Sequence, residues 1–344
     1  MVAKGSSLFQ MKRLIKSVLG RFFKRIFLKT SFAHNVNIIL MYHRVRDTIP
    51  SKLEDPALSV TSVTLKMHMK QVSRSFDIVP LSTLLAFPRN DRGMCAVTFD
   101  DGWLDNYEIA FPILKKHNIP ATVFVPTDLV GKTDAFWFDG ITNLSEAAAS
   151  MNQERLFLDH FAKVVPAWQA SELTRESVST LVSFMKQLPA DTLEDMIHKG
   201  YEVLGIEPHV SRSIINWDEI SEMNKGNIEF GSHGCRHYVL PALNSLLKKR
   251  EILCSLDALE ERGLADHPVF SYPNGDWDEE SISYLRQNRY EGSVATRVGY
   301  NNSRTNRYLL NRIGLHESMS NTPSMLWFQV LRAVLAGQGC TVDV

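Results

Sequence analysis

The stretch Val97-Thr98-Phe99-Asp100-Asp101-Gly102-Trp103 sets two adjacent carboxylates directly behind a short apolar run. Neighbouring residues of a strand point to opposite faces, so both carboxylates can serve one site only where the strand ends. Gly102 supplies the backbone freedom for that turn. The carboxyl end of a strand is where α/β folds keep their chemistry; the alternative is a solvated turn, for which Asp and Gly are ordinary residues. A second stretch, Glu229-Phe230-Gly231-Ser232-His233-Gly234-Cys235-Arg236-His237, places two histidines at i and i+4 behind another apolar run. Such a pair can meet on one side of a helical turn. It then offers two nitrogen donors to a borderline metal such as Zn²⁺. Asp100 or Asp101 is the natural third donor, and a His₂-Asp set leaves positions open for water, as a hydrolytic site requires. Taken alone, His-x-x-x-His reads as a surface pair.

The elements that must position these residues follow from hydrophobic patterning. Strands are expected over residues 37–41, 76–79, 94–99, 121–125, 227–231, 268–272, 292–296 and 310–315, with helices over 65–75, 106–117, 219–225, 246–262, 278–288 and 325–336. Strand–helix–strand alternation at short spacing predicts a parallel α/β organisation. Both chemical stretches then fall at strand ends. Between about 141 and 213 the alternation stops. That part reads as a helical insertion, with Leu156, Phe157, Leu181, Phe184, Met185, Leu193 and Met196 expected to be buried.

The chain has 344 residues, enough for a sizeable core, and its formal net charge is zero, so no global field favours nucleic acid. The balance is local, however. Lys4, Lys12, Arg13, Lys16, Arg21, Lys24, Arg25 and Lys29 all precede the first acidic residue, Asp47. Leu14, Ile15, Val18, Leu19, Phe22, Phe23, Ile26 and Phe27 lie between them at roughly helical spacing. Segment 1–34 therefore reads as a basic amphipathic helix, either lying on an anionic membrane surface or docked on its own domain with its cations in solvent. Its cations interrupt any apolar run of the roughly 7–15 residues that a secretory signal needs. Nor does any stretch approach the roughly 20 apolar residues of a membrane span. Cys95, Cys235, Cys254 and Cys340 are scattered without a Cys-x-x-Cys pair and read as reduced thiols. The expected location is the cytoplasm, free or peripheral on the inner face of the membrane.

Two further strand ends carry polar residues, Tyr272-Pro273-Asn274-Gly275 and Leu315-His316-Glu317. Together with the Asp-Asp-Gly and His-x-x-x-His stretches, they make the sequence resemble the polysaccharide deacetylases, carbohydrate esterase family four. The resemblance covers most of residues 35–316 apart from the insertion. It implies a distorted (β/α)7 barrel over 35–344, interrupted at about 141–213. It also implies a metal-dependent N-deacetylase acting on an N-acetylated amino sugar in a polysaccharide, oligosaccharide or lipid-linked glycan precursor. Carried over residue by residue, Asp101, His233 and His237 fall on the metal-ligand positions, usually filled by zinc or another divalent ion. Asp100 falls on the general base and His316 on the general acid. Asn274 aligns with the residue whose backbone N–H stabilises the oxyanion.

Several positions depart from the family pattern. Ser271 stands where the third motif usually has an arginine that orients the base, and that arginine's acidic partner has no counterpart around Ala295-Thr296-Arg297. Losing both leaves neither as an unpaired charge. The Tyr-Pro-x-Gly form together with Tyr42-His43-Arg44 resembles a related branch of the family. Gly234 replaces the usual Ser or Thr after the first histidine, a change expected to loosen the loop. The strand leading to His316 presents Arg312 as an alternative functional residue. Cys235 reads as an extra soft ligand or a packed side chain, and Tyr42 and His43 as site-mouth or core residues. Trp103, Trp137 and Trp277 are candidates for a sugar-stacking platform. A non-sugar amidase and a catalytically silent carbohydrate-binding relative stand as alternatives on the same scaffold.

Overall fold

The computed structural model describes residues 2–27, 36–48, 52–53, 58–87, 92–133, 136–207 and 212–337; Lys29, Cys340 and the end of segment 1–34 lie outside them. Ten short strands run β1 Ile38–Tyr42, β2 Arg44–Val45, β3 Ser59–Val60, β4 Asp77–Ile78, β5 Met94–Phe99, β6 Ala121–Val125, β7 Ile228–Ser232, β8 Val269–Ser271, β9 Gly292–Val294 and β10 Ile313–Gly314. The main sheet has the order β10-β1-β5-β6-β7-β8-β9, with β4 added beside β5 and β2–β3 as a separate pair. Every pairing in the main sheet is parallel. The sequences of β1 and β6 are apolar at every position but Thr122, and both strands are buried throughout, as a sheet covered on both faces requires. The sheet curls into a distorted barrel of seven strands. Chain just ahead of β10 bridges it to β9: Leu310 N–H donates to Ser293 O, and Ala295 N–H to Leu310 O.

Helices cover the outside: α1 Val2–Phe27, α2 Ser62–Val72, α3 Leu81–Leu85 and α4 Phe111–Lys116 precede the insertion, which consists of α5 Trp137–Ser150, α6 Glu154–Val164, α7 Arg175–Met185 and α8 Ala190–Leu204. After it come α9 Trp217–Lys225, α10 Ser245–Glu260, α11 Glu279–Gln287, α12 Glu317–Ser320 and α13 Pro323–Ala336. The four inserted helices pack around their own apolar cluster, including Ile141, Leu144, Phe157, Phe161, Leu181 and Met185. Leu156 and Phe184, expected inside, are exposed. Helix α6 buries positions 157, 158 and 161 and α7 buries 178, 181 and 185, so 156 and 184 fall off the inward stripes.

The expected helix over 106–117 begins as a π-turn at Asn106–Ala110 before becoming α4. That wider turn lets Asn106 Nδ2 donate to His43 O at 2.8 Å, while Asp105 accepts from Arg44 Nε at 2.8 Å and from Val45 N–H at 3.0 Å. The segment after β1 is thereby tied to the segment after β5.

Beneath this junction, Tyr42 and His68 are buried, which places Tyr42 in the core. The Tyr42 hydroxyl lies 2.9 Å from His68 Nδ1, and His68 Nε2 lies 2.7 Å from Ser320 O. A carbonyl only accepts, so Nε2 carries the proton and Nδ1 takes the tyrosyl hydrogen. Burial pushes the imidazole down to about 4. A histidine held neutral in the fold takes up its proton more readily when unfolded, so its contribution is complete above about pH 6.5 and is lost as pH falls toward 4. In urea unfolding, the stability advantage of the wild type over His68→Gln should shrink by about 3 kcal/mol between pH 7 and pH 4. A constant difference would show that the folded imidazole takes up its proton as readily as the unfolded one.

Candidate metal centre and its cavity

Strand β5 ends at Phe99, and Asp100 N–H still donates to Tyr42 O of the neighbouring strand at 2.9 Å. The turn then takes positive φ at two successive residues, Asp101 at 75° and Gly102 at 63°. Glycine adopts this conformation freely; for aspartate it costs on the order of 1 kcal/mol or more and needs fixing by its surroundings. Trp103 Nε1 donates to Asp101 Oδ2 at 2.9 Å, and the chain leaving the insertion clamps the turn from below, with Ile215 N–H donating to Gly102 O at 2.9 Å. A Cβ on Gly102 would approach Val125 to 2.8 Å, so both conformation and space require glycine there.

The histidines meet by a different route from the helical turn expected. The segment after β7 is a loop in which Gly234 and His237 have φ of 76° and 60°. Its backbone is held from two sides. Thr127 N–H and Asp128 N–H donate to Gly234 O and Cys235 O, while the buried Glu251 carboxylate accepts from Cys235 N–H at 2.8 Å and Arg236 N–H at 3.0 Å. Gly234 does not loosen this loop. A Cβ there would meet Glu251 Oε2 at 2.7 Å, so glycine admits the carboxylate that fixes it. Cys235 is buried with its Sγ near the carbonyls of Arg250 and Glu251, a packed thiol outside the ligand set.

Asp101, His233 and His237 present one ligand atom each within 4.8 Å of one another. Asp101 Oδ1 lies 3.4 Å from His233 Nε2 and 3.3 Å from His237 Nε2. His233 Nδ1 donates to Ser271 O at 2.7 Å, which leaves its Nε2 lone pair facing the aspartate. An outer hydrogen bond of this kind orients a metal-ligating imidazole. Asp101 Oδ1 is buried without a hydrogen-bond partner. An orphaned carboxylate oxygen flanked by two imidazole nitrogens is costly in a buried site unless something positive joins it. The donor set therefore fits a divalent metal. Burial would raise the Asp101 carboxyl, but contact with the two histidines holds it well below the usual carboxylate range. Burial is outweighed at His233, which is raised by Asp101 and Asp100, but prevails at His237, which is lowered despite Asp101.

Asp100 faces a different partner. Arg312, fully buried just ahead of β10, donates from Nη1 to Asp100 Oδ1 and from Nη2 to Oδ2, both at 2.7 Å. Its remaining donors reach Ala295 O at 2.9 Å, Ser271 Oγ at 3.1 Å and Thr98 Oγ1 at 3.4 Å. Ser271, at the motif position that lacks its arginine, thus receives a guanidinium from another strand and donates weakly to Asp100 itself at 3.4 Å. Arg312, which the sequence offered as an alternative to His316, gives Asp100 a cationic partner although the motif arginine is lost. Burial pushes Asp100 up, but Arg312 and then His233 bring it below the usual carboxylate range.

These groups form the floor of a cavity of about 190 Å³. Asp100, Asp101, His233, His237, Asn274 and His43 all line it. Asn274 stands on a tight turn at φ 61°, and its Oδ1 accepts from Lys186 Nζ at 2.5 Å. His316 is not among the lining residues; it is half-buried at the start of α12, with Nδ1 2.9 Å from Ser318 Oγ. Of the three tryptophans, Trp137 alone lines the cavity. Trp103 is buried beneath Asp101 with the Arg44 guanidinium 4.0 Å from its ring, and Trp277 packs on the cluster around Phe270 and Tyr272. The insertion supplies a wall: Trp137, Phe138 and Thr142 from α5, Val178 and Val182 from α7, and Lys186 just beyond it.

The sequence model of the polysaccharide deacetylase family matches residues 88–293, more than half of the chain and including the Asp-Asp turn, both histidines and Asn274. The chain belongs to that family. The family implies an N-acetylated polysaccharide substrate. YxkH of Bacillus subtilis strain 168 is 20% identical over 289 residues, covering 83% of this chain and 73% of that protein. The poly-β-1,6-N-acetyl-D-glucosamine N-deacetylase of Staphylococcus epidermidis is 26% identical over 251 residues, covering 67% of this chain and 83% of the relative. Among solved structures, the Streptococcus pyogenes deacetylase PplD, determined with acetate, superposes with a TM-score of 0.57 at 17% identity, covering 87% of this chain and 98% of that one. At that identity the likeness establishes the fold, the distorted barrel of the family.

Removing Arg312 would strand a buried carboxylate. Arg312→Met should cost about 3–5 kcal/mol in urea unfolding, the range for breaking a buried ion pair. Arg312→Met combined with Asp100→Asn should cost less than the two single changes together, with a coupling of about 1–3 kcal/mol. Strict additivity would mean that the pair contributes nothing beyond its separate members.

Proposed function

We propose that this chain is a metal-dependent N-deacetylase that hydrolyses the acetamide of an N-acetylated amino sugar, N-acetylglucosamine being the first candidate, within a glycan. The observation that carries this reading is the placing of two adjacent carboxylates in different environments on one cavity floor. Asp101 faces two imidazoles, whereas Asp100 is clasped by a guanidinium. The name of the staphylococcal relative supports the choice of sugar. The Tyr272-Pro273-Asn274-Gly275 turn supports assignment to the Tyr-Pro-x-Gly branch, because it aims Asn274 into the cavity. Gly275 has φ of 81°, and Thr296 lies so close that no Cβ would fit.

In this reading Asp101, His233 and His237 hold the ion, zinc being the choice that suits a His₂-carboxylate set. When bound, a divalent ion supplies Lewis acidity that polarises the acetamide carbonyl and acidifies the attacking water. Asp100 takes the proton from that water. A carboxylate held low by Arg312 is a weak base, which suits a strongly acidified proton source. Arg312 and Ser271 fix the carboxylate orientation, so little reorganisation accompanies the transfer. Asn274, on the cavity wall, contributes to holding the developing oxyanion. For the proton delivered to the leaving amine, His43 is the cavity-lining imidazole outside the ligand set, and it takes the place that the family resemblance gave to His316. Apolar walls from the insertion lower the local dielectric and strengthen each of these interactions.

Incubation of the metal-loaded chain with N-acetylglucosamine oligomers should release acetate and free amine in equal amounts, with small linear and cyclic amides turned over far more slowly. Asp100→Asn should keep its metal and lose on the order of 10²-fold or more in kcat. Full activity in that variant would remove Asp100 as the base, and a wild-type chain that binds no divalent metal would remove the whole mechanism. Comparing His43→Ala with His316→Ala separates the two candidate acids. The first should lose on the order of 10²-fold in kcat and the second little. The reverse result returns the role to His316.

A further inference from the structure

Helix α1 runs for 26 residues and is docked on its own domain. Phe23 and Phe27 turn inward onto Trp327 and Phe76, with ring centroids 5.1–6.3 Å apart across the cluster. At Gly20 the helix crosses α13 so closely that a Cβ would overlap Ser324 O. Ser17 meets Ser324, Arg13 donates to Asn321 and Lys24 to Gln71 along the same side. That face satisfies every requirement of a helix stuck to a globular domain.

The opposite face does not. Leu14 and Phe22 are each 64% exposed, Val18 is 56% exposed, and Met11, Ile15 and Ile26 are exposed beside them. At about 100° per residue these side chains fall within one arc of roughly 120°, directly opposite Gly20 and Phe27. A contiguous apolar stripe of this length marks an interaction surface rather than ordinary scatter. Its borders are cationic. Lys12 stands on one side and Arg21 on the other, Arg25 projects within the arc at the angular position between Leu14 and Val18, all three are exposed, and the helix has no acidic residue.

We propose that this outward face of α1 is a docking surface for an anionic phospholipid bilayer, with the apolar stripe inserted at the headgroup boundary and Lys12, Arg21 and Arg25 at the phosphates. The sequence offered membrane contact and self-docking as alternatives; the structure divides the helix between them, two phenylalanines inward and Met11, Leu14, Ile15, Val18, Leu19, Phe22 and Ile26 outward. Charge complementarity selects the occupant. A second copy on the same face would set like cations against each other with no acidic partner on either helix, because a two-fold interface brings the same patch together twice. An anionic surface receives both the stripe and its basic borders. Among the described residues no helix is long and apolar enough to cross a membrane, so the attachment is to the surface.

The test is co-sedimentation of the full chain with vesicles of phosphatidylcholine alone or mixed with phosphatidylglycerol. Binding is expected to the mixed vesicles, weakened by salt, and lost by at least about tenfold in Leu14→Ser/Val18→Ser/Phe22→Ser with no fall in melting temperature. Arg21→Gln/Arg25→Gln should reduce the preference for the anionic vesicles. Equal binding by the triple variant, or no wild-type binding, overturns the proposal. A wild-type dimer that the triple variant converts to monomer overturns it in favour of a second copy.

Discussion

The buried Asp100–Arg312 pair is the constraint around which the interior is arranged. Two charges taken out of water are tolerable only when the geometry is close and the remaining donors are satisfied. Here the guanidinium spends its donors on groups from several parts of the sheet: Asp100 and Thr98 from β5 and the turn after it, Ser271 from β8 and Ala295 from beyond β9. Arg312 itself precedes β10, so one side chain links both ends of the curled sheet. It does so where the ladder is thinnest, since β9 reaches β10 only through the residues ahead of that strand. The same contacts that close the barrel therefore orient a carboxylate at its carboxyl edge.

Adjacent carboxylates repel, and burial alone would protonate both. The molecule separates them by giving each its own partners, a guanidinium for Asp100 and two imidazoles for Asp101, and by turning the backbone between them. Asp100 still belongs to the strand, its N–H paired with Tyr42, whereas Asp101 has left it at positive φ. The strain at Asp101 is held by contacts that also serve the site: the indole of Trp103 on one oxygen, and His233 and His237 beside the other. Local strain of this kind persists where the surroundings over-determine it, and such places are commonly functional.

The parts legible in the sequence are those carried by contiguous pattern. Strands 94–99 and 121–125 were readable to the residue, because short apolar runs rich in β-branched side chains between turn signals have one good solution in a parallel sheet. His233 and His237 were readable from spacing, whereas the choice of Asp101 over Asp100 as their companion came from the family resemblance. Arg312 was visible only as an alternative on the strand leading to His316. Linear spacing records which strand a residue sits on, whereas a barrel interior lets a long side chain from one strand occupy the place vacated on another. The loop carrying the histidines was misread for a related reason. An i, i+4 pair fits a helical turn, but the buried Glu251, from distant α10, holds this one in left-handed conformations that no local pattern announces. Helix α1 shows the limit of periodicity itself. It marked the apolar residues without telling which of the two faces they divide between.

The insertion completes the division of labour. Asp100, Asp101, His233 and His237 belong to the strand-end loops of the barrel, while α5 and α7 contribute Trp137, Phe138, Asp139, Val178 and Val182 and, just past α7, the cation of Lys186. The inserted helices keep their own apolar cluster, so their facing residues can change without disturbing the ion pairs beneath. Charge arrangements that took several strands to satisfy are fixed by the fold; the shape and polarity of the wall are not. On the proposed reading, the chemistry is therefore a property of the sheet edge, and the choice of glycan a property of the wall that α5 and α7 set beside it.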